Sequence, residues 1–227
     1  MKAPNRVARG KFGSAADYAY STLRNEIVEG RFAQGRRMRE VELAAWLGIS
    51  RTPTRQALAR LELEGLLVLR PRVGLVVSSL EPDAIDELYE MRAALEGTAA
   101  AMAARHGSAR DIGTLIQLVE QEAALPTEAA VRSKHNLMLH KAIYAAAHNR
   151  FLVKSLHALH DAIALLGPTT LAVEGRHREA HTEHKRIVQA IAAHDAARAD
   201  AEARAHVERA RAVRLAMVAG RNQEESG

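Results

Sequence analysis

The sequence predicts a mostly α-helical protein made of an N-terminal winged helix-turn-helix and a C-terminal all-helical bundle. Hydrophobic residues recur at helical spacing through most of the chain. The clear β-prone runs form one short hairpin directly behind two closely spaced helices. Positive charge is concentrated at one end, because residues 1–80 contain 14 Lys and Arg against 7 Asp and Glu, whereas residues 81–227 have a net charge of −2.

Length and composition limit the class of protein. A chain of 227 residues that is 48% hydrophobic can bury the cores of two small domains. The absence of Cys excludes disulfides and thiolate metal sites. The basic N-terminus has no apolar region after it, and no window is apolar for long enough to span a membrane. We therefore expect a cytoplasmic protein without a signal peptide.

The first domain is predicted to follow a basic, aperiodic arm at residues 1–14, which we expect to be disordered. Apolar residues at helical spacing mark a first helix over residues 15–29 and a short second helix that ends at Gly48. Thr52 is predicted to cap a third helix, with Pro53 at its first position. The tight connection between the second and third helices predicts a helix-turn-helix.

A small hairpin and a helical domain are predicted to follow. The β-prone runs 66–70 and 75–77 flank a turn that contains Pro and Gly, and a hairpin behind a helix-turn-helix is a wing. The first domain then covers residues 15–78, and a linker at residues 79–82 follows it. The second domain is predicted over residues 83–220, with a disordered tail at 221–227. Its six predicted helices cover 83–106, 109–125, 127–148, 150–166, 169–194 and 197–219.

Basic and hydroxyl side chains gather at the start of the third predicted helix. Arg51 and Arg55 stand one turn apart at a helix end whose free N–H groups attract anions. Arginine can donate two hydrogen bonds to a guanine edge or bind a phosphate, and Arg72 at the tip of the wing can reach the minor groove. The neighbouring hydroxyl donors are Ser50, Thr52 and Thr54. Because the first domain also has a net charge of +7, we predict binding to double-stranded DNA.

The first domain resembles the winged helix of GntR-family bacterial transcription regulators. The segments that carry the resemblance are 23–30, 38–44, 48–58 and 61–66, and the match as a whole covers about 60 residues in one register. The resemblance implies that Arg51 and Arg55 make the main base and phosphate contacts. Val41 stands where the family often has Arg, so Arg39 is expected to replace that contact and the operator preference is expected to differ.

Three histidines fall on three different predicted helices, which is how a bundle converges ligands on an interior site. They are His140, His184 and His206, separated by 44 and 22 residues. Asn136 lies one turn before His140 and shares its face of the helix. Three imidazoles and an oxygen donor suit Zn²⁺, and also Ni²⁺ or another divalent ion. The alternative is that these are surface or hydrogen-bonded histidines, since the chain contains 11.

Residues 83–219 resemble the FCD domain, the all-helical ligand-binding domain of FadR-type GntR regulators, in its six-helix VanR-like form. The segments that carry this resemblance are 87–92, 95–96, 140–143, 183–187 and 205–207. The resemblance implies a divalent metal held by three histidines and by an Asp one turn before the first. Those positions are Asn136, His140, His184 and His206. The uncharged Asn136 predicts weaker metal binding and a greater dependence on an anionic effector.

The resemblance also implies a small carboxylate effector, held partly by the metal and partly by a basic residue. Arg92 is the candidate, and its alternative role is a surface ion pair with Glu96. His177, His181 and His184 form a rival cluster at helical spacing. Charged neighbours indicate that His177 and His181 line a solvated helix face.

Together these features predict a homodimeric transcription regulator, a repressor rather than an activator. Its two winged helices would bind a palindromic operator and release it when the carboxylate binds. One alternative is a metalloregulator that senses the divalent ion itself. The other is a metal-dependent enzyme, which lacks support because no carboxylate stands out as a general base beside the histidines, and neither HExxH nor a Gly-rich phosphate loop is present.

Overall fold

The computed structural model describes residues 12–80 and 82–224 of the chain. Residues 1–11 of the predicted arm and residues 225–227 of the predicted tail lie outside the described residues. The chain divides into two compact units, and each has its own buried apolar cluster.

The two units differ slightly from the predicted domains. The first, called the winged-helix unit, runs to Leu80 and includes His160–Gly167. The second, called the helical unit, contains Glu81–Leu159 and Pro168–Gly227. The short segment at 160–167 falls in the predicted second domain, but its residue Leu165 is buried in the apolar cluster of the winged-helix unit. This burial explains why the segment groups with the first unit.

Over the described residues 12–80, the winged-helix unit contains three helices and one hairpin. They are α1 (Ala15–Val28), α2 (Glu40–Leu47), α3 (Arg51–Leu63), β1 (Leu67–Arg70) and β2 (Gly74–Val77). The strands pair antiparallel, with Leu67 opposite Val77. Gly48 ends α2 in the left-handed conformation at φ 67°, which a residue without Cβ adopts without strain, so α3 can follow after a short turn. The predicted helix-turn-helix and wing are therefore confirmed.

The start of α3 differs from the prediction. The N-cap is Ser50 rather than Thr52, because Ser50 has extended backbone angles of φ −72° and ψ 165° and Arg51 is already helical. Pro53 is the third helical residue, where its missing N–H still has no intrahelical partner to lose. The helix phase exposes Arg51 and turns Thr54 into the core.

One core holds the winged-helix unit together. Leu23 on α1, Leu61 on α3 and Leu66 just before β1 are almost completely buried and belong to the same apolar cluster. Leu43 and Leu47 on α2 join it. The start of α3 is therefore supported by a well-packed apolar core.

Replacing Leu61 with Ala is expected to lower the free energy of unfolding of this unit by about 2–5 kcal/mol, since a buried leucine leaves a cavity. Leu63→Ala is the matched control, because Leu63 lies on the same helix and is 89% exposed. The control should change stability by less than about 0.5 kcal/mol. Urea unfolding followed by circular dichroism measures both, and equal midpoints for the two variants would contradict this packing of α3.

The described part of the helical unit contains six α-helices, as predicted. They are α4 (Pro82–His106), α5 (Ala109–Glu122), α6 (Ala129–Ala146), α7 (Arg150–Ala164), α8 (Arg176–Ala192) and α9 (Ala196–Glu224). The last residues of α7, 160–164, group with the winged-helix unit. α8 starts later than predicted, because a short 3₁₀ helix at Thr170–Ala172 and a left-handed Gly175 precede it. α9 runs to Glu224, so the first part of the predicted disordered tail is helical. Over the described residues, no helix combines the length and apolar character that crossing a bilayer requires.

Alanine fills the contact between α4 and α9. Ala99 and Ala103 on α4 and Ala199 on α9 are completely buried in one cluster. Gly97 extends this contact, since a Cβ at that position would lie 2.6 Å from Asp200 Oδ1. The two helices approach closely because small side chains face each other. This close packing sets the positions of the other side chains that α4 and α9 direct into the interior of the helical unit.

Candidate DNA-binding surface and metal centre

The start of α3 presents two exposed arginines. Arg51 is 62% exposed and Arg55 is 69% exposed, and they lie one turn apart. Both contact Glu40, the first residue of α2, which accepts hydrogen bonds at 2.8 Å from the Nε atom of each arginine. Arg55 Nη2 adds a third bond of 3.2 Å to the same carboxylate. The sequence predicted the two arginines as a pair, but it gave no sign of the acid that joins them.

Glu40 stays ionised at neutral pH. Hydrogen bonds from Arg55 and then from Arg51 lower the pKa of Glu40 to about 2. At neutral pH the three side chains therefore place two positive charges and one negative charge at the surface.

Most of the other predicted DNA-binding residues are also exposed. Ser50 and Thr52 lie at the same end of α3, and Arg72 lies at the tip of the wing with a left-handed φ of 63°. Arg39 is the N-cap of α2, and its Nη1 lies 2.6 Å from Glu42 Oε1. Val41, at the position where the family often has Arg, is exposed.

The prediction that Thr54 contacts DNA is not supported by its position. Its side chain is completely buried, and its hydroxyl donates a hydrogen bond of 3.0 Å to the backbone carbonyl of Ser50. Because α3 begins at Arg51, position 54 faces the core of the unit. Thr54 therefore supports the first turn of α3 and is not available to bind DNA.

In the helical unit, the three predicted histidines come together. His140 on α6, His184 on α8 and His206 on α9 are all buried. Their ring centroids lie 4.8–5.5 Å apart. One ligand atom from each lies within 4.8 Å of the other two, a spacing that a single metal ion could bridge. We call these three residues the histidine cluster.

Each histidine of the cluster has its own carboxylate at Nδ1. The distances are 2.8 Å from His140 to Glu96, 2.9 Å from His184 to Glu122 and 2.6 Å from His206 to Glu183. The His140 ring is not aligned for a full hydrogen bond to its carboxylate. Carboxylates therefore stand beside the site, although the sequence had shown none there that stood out as a general base. A carboxylate at Nδ1 fixes the ring and directs Nε2 toward a metal, as in known carboxylate–histidine–metal arrangements.

The Nε2 atoms of His140 and His184 are buried and have no hydrogen-bond partner within the described part of the chain. Burial lowers the pKa of His184, and it lowers the pKa of His206 to about 3, against the opposing effect of their carboxylates. Both rings are neutral at pH 7, so an Nε2 lone pair is available on each. A buried, unpaired nitrogen is costly unless a ligand binds it, and a divalent ion fits this donor set.

The carboxylates are themselves held in their ionised form. Burial opposes the ionisation of Glu183, but His206 and Arg176 outweigh it and bring the pKa of Glu183 below its usual range. Arg176 donates two hydrogen bonds to Glu183, at 3.0 and 2.8 Å, and Arg209 Nε donates another at 2.6 Å. Glu183 directly precedes His184 in the sequence, which is a signal that could have revealed it. Glu122 lies 62 residues from His184 and gave no such signal.

Arg92 and Asn136 lie near the cluster. Arg92 Nε lies 2.5 Å from Glu96 Oε1, so the ion pair that was the alternative role of Arg92 is formed. The pair is buried rather than on the surface, with only 11% and 5% of the two side chains exposed. Because Glu96 also faces His140, Arg92 belongs to the surroundings of the histidine cluster. Asn136 is half-buried on α6, one turn before His140.

The structure corrects the interpretation that His177 and His181 line a solvated helix face. His181 is only 17% exposed, and its Nδ1 lies 3.2 Å from Glu122, so it does not belong to a solvated helix face. His177 is half-buried on the same helix. Glu122 therefore contacts two histidines, one inside the cluster and one beside it.

Acid is expected to destabilise the metal-free helical unit below about pH 6.5, because the pKa values of His184 and His206 are lower in the folded protein than in the unfolded chain. The unfolded chain then binds more protons, so stability falls as the pH drops. The depressed pKa of Glu183 adds a loss only below its ordinary value of 4.5. Thermal melts from pH 7 to 5 with chelator should fall steadily in midpoint, and His206→Gln should reduce the slope. A melting midpoint that does not change with pH would contradict the conclusion that these buried histidines are neutral.

A winged helix with exposed arginines, joined in one chain to a helical domain, defines a two-domain DNA-binding regulator. Residues 15–77 match the model described as bacterial regulatory proteins, gntR family, and residues 87–209 match the FCD domain. The chain belongs to the GntR family of transcription regulators and carries an FCD domain.

Known proteins resemble this chain over lengths that range from about a third of it to most of it. A probable D-xylose utilization operon transcriptional repressor of Paenarthrobacter nicotinovorans is 33% identical over 175 residues, 75% of each chain. An uncharacterized HTH-type transcriptional regulator of Agrobacterium vitis, from the TAR-I ttuE-ttuC' intergenic region, is 44% identical over 82 residues, 36% of this chain and about half (48%) of that protein. The solved structure of E. coli McbR/YncC matches with a TM-score of 0.76 at 21% identity, covering 91% of this chain and 100% of that one. The two relatives are named as regulators rather than enzymes, in agreement with the prediction.

Proposed function

We propose that this regulator is a repressor that binds a palindromic operator as a homodimer and releases it when a small carboxylate binds in the helical unit. The DNA-binding part of this proposal rests on one observation, the exposed pair Arg51 and Arg55 at the start of α3. Arg39, Ser50, Thr52 and Arg72 surround the pair as further contacts to bases or phosphates. A relative named as a repressor supports the sign of regulation.

Enrichment from a randomised duplex library followed by sequencing tests the DNA-binding part of the proposal. A two-fold symmetric protein requires a two-fold symmetric site, so the enriched duplexes should contain an inverted repeat. Sedimentation of the protein with the enriched duplex should give two chains per duplex. Enrichment of no sequence, or of a single half-site bound by one chain, would contradict the proposal.

We further propose that the histidine cluster holds a divalent ion, Zn²⁺ before Ni²⁺ or another ion, with Asn136 as an additional oxygen ligand. The buried, unpartnered Nε2 atoms of His140 and His184 carry this proposal. A bound divalent ion would offer an open position to an anionic oxygen of the effector. Arg92, buried beside Glu96, is the basic residue proposed to hold the other end of the carboxylate.

A second candidate function is a metalloregulator, for which the ion itself is the signal. It is favoured by the carboxylates that lie beside the Nδ1 atoms of all three histidines, and by the pairing of Arg92 with Glu96. Titrating Zn²⁺ and a panel of metabolite acids separately against the enriched duplex distinguishes the two. Release by Zn²⁺ alone supports the metalloregulator, and release only when an acid is added supports the carboxylate sensor.

Glu122→Gln is expected to weaken Zn²⁺ binding by about 10–100-fold, because Gln cannot hold the His184 ring as a charged carboxylate does. Glu120→Gln is the matched control, since Glu120 lies exposed on the same helix. Competition with a coloured chelator measures the Zn²⁺ affinity of both variants. Equal affinities in the two would contradict a role of Glu122 behind the metal.

A further inference from the structure

We propose that Glu40 is a positioning residue that holds Arg51 and Arg55 ready to contact base edges and thereby sets how strictly the protein discriminates DNA sequences. This inference rests on the proposed reading of DNA by the two arginines. It concerns a residue of α2, and not one of the side chains expected to touch the bases.

The contact with Glu40 leaves the terminal nitrogens of Arg51 available to bind a base. Glu40 Oε1 accepts a hydrogen bond from Arg51 Nε, on the side of the guanidinium. The two terminal nitrogens of Arg51, Nη1 and Nη2, stay outside this contact. A guanine edge accepts two parallel hydrogen bonds from an arginine through O6 and N7. Glu40 therefore holds the side of the guanidinium and leaves its end for a base.

Arg55 is held more tightly than Arg51. It contacts both oxygens of Glu40, through Nε at 2.8 Å and Nη2 at 3.2 Å. Its Nη1 stays outside this contact, and this atom can donate to a base or to a phosphate. One carboxylate thus sets the relative placement of two guanidinium groups on successive turns of α3.

Glu40 is well suited to this role because its side chain is less exposed than those of the arginines. Its side chain is only 20% exposed, against 62% and 69% for Arg51 and Arg55. It is also the first residue of α2, where a negative charge is favoured by the helix dipole. Long arginine side chains lose conformational freedom when they bind, and holding them beforehand reduces that loss for the matching sequence.

The charge of Glu40 should act against non-specific binding. Contacts to phosphates supply most of the sequence-independent affinity, and a carboxylate between the arginines weakens their attraction to any phosphate. The same residue is therefore expected to strengthen binding to the preferred duplex and to weaken binding to other DNA. A residue with a merely structural role would move both affinities in the same direction or neither.

Glu40→Gln tests the inference in the full-length protein. The probes are the duplex that the wild-type protein enriches most from a randomised library and a scrambled duplex of equal length. The ratio of the two affinities is expected to fall about tenfold or more, as for a lost bidentate base contact. Affinity for the scrambled duplex should rise, with a steeper dependence on salt. Glu62→Gln is the matched control, because it removes an identical charge from the exposed face of α3, and it should leave the ratio unchanged.

Three outcomes would overturn the proposal. An unchanged affinity ratio for Glu40→Gln, with normal enrichment by the wild-type protein, overturns the role of Glu40 and leaves the proposed function intact. Equal loss of both affinities with a lower melting temperature shows a structural role instead. No enrichment by the wild-type protein removes the proposed function and this inference together. Glu40→Asp, which keeps the charge, should recover part of the ratio that Glu40→Gln loses.

Discussion

Replacing Arg51 with Ala is expected to weaken binding to the preferred duplex by about 5- to 150-fold, the equivalent of about 1–3 kcal/mol for a bidentate contact to guanine. Arg55→Ala is expected to reduce affinity by a similar factor, because both side chains leave the first two turns of α3 and are more than half exposed. The loss should be larger for the preferred duplex than for a scrambled one, since base contacts carry the sequence information. Fluorescence anisotropy with labelled duplexes at several salt concentrations measures both.

Arg60→Ala provides the control for this prediction. Arg60 lies on the same helix and is 51% exposed, but it stacks on Tyr20 and pairs with Glu64 instead of pointing from the start of the helix. Its loss removes the same charge, and it should reduce both affinities slightly and leave their ratio unchanged. If Arg51→Ala and Arg60→Ala gave the same small effect, the start of α3 would not be the reading surface.

The helices and the wing could be predicted because their signals are local. Apolar spacing marks each helix, and Gly48 and Gly175 stop or start helices in conformations that glycine adopts freely. The phase of α3 was harder to predict, because Ser50 and Thr52 are both good N-caps. That small shift decides that Thr54 is buried while Arg51 and Arg55 are exposed.

The candidate sites could be predicted only in part, because their supporting contacts are distant in sequence. The resemblance to a family predicted that His140, His184 and His206 form one site. Their spacing alone did not distinguish such a site from unrelated surface or hydrogen-bonded histidines. Glu40 reaches Arg55 across 15 positions, and Glu122 reaches His184 across 62. Neither contact follows from a periodic pattern, since each depends on how one helix packs against another. The sequence therefore predicted the arginines and the histidines, but it did not predict Glu40 and Glu122, the acidic residues that contact them.

His140→Gln is expected to abolish stabilisation of the protein by Zn²⁺, because two histidines and an amide form a much poorer site than three histidines. For the wild-type protein, Zn²⁺ at about 100 times its dissociation constant adds about 2.7 kcal/mol of stability. A protein of this size should then melt about 5–10 °C higher with Zn²⁺ than with chelator. The variant should show almost no difference between the two conditions. Differential scanning fluorimetry measures both proteins.

His157→Gln is the matched control, because His157 is exposed on α7, and it should keep the full Zn²⁺ effect. Asn136→Asp keeps the prediction testable if His140→Gln fails to fold, since it changes a half-buried residue and adds a negative charge one turn before His140. If Asn136 is a ligand, this variant should bind Zn²⁺ more tightly and depend less on an added carboxylate for release of DNA. Unchanged Zn²⁺ affinity in Asn136→Asp, or full Zn²⁺ stabilisation of His140→Gln, would place the ion elsewhere.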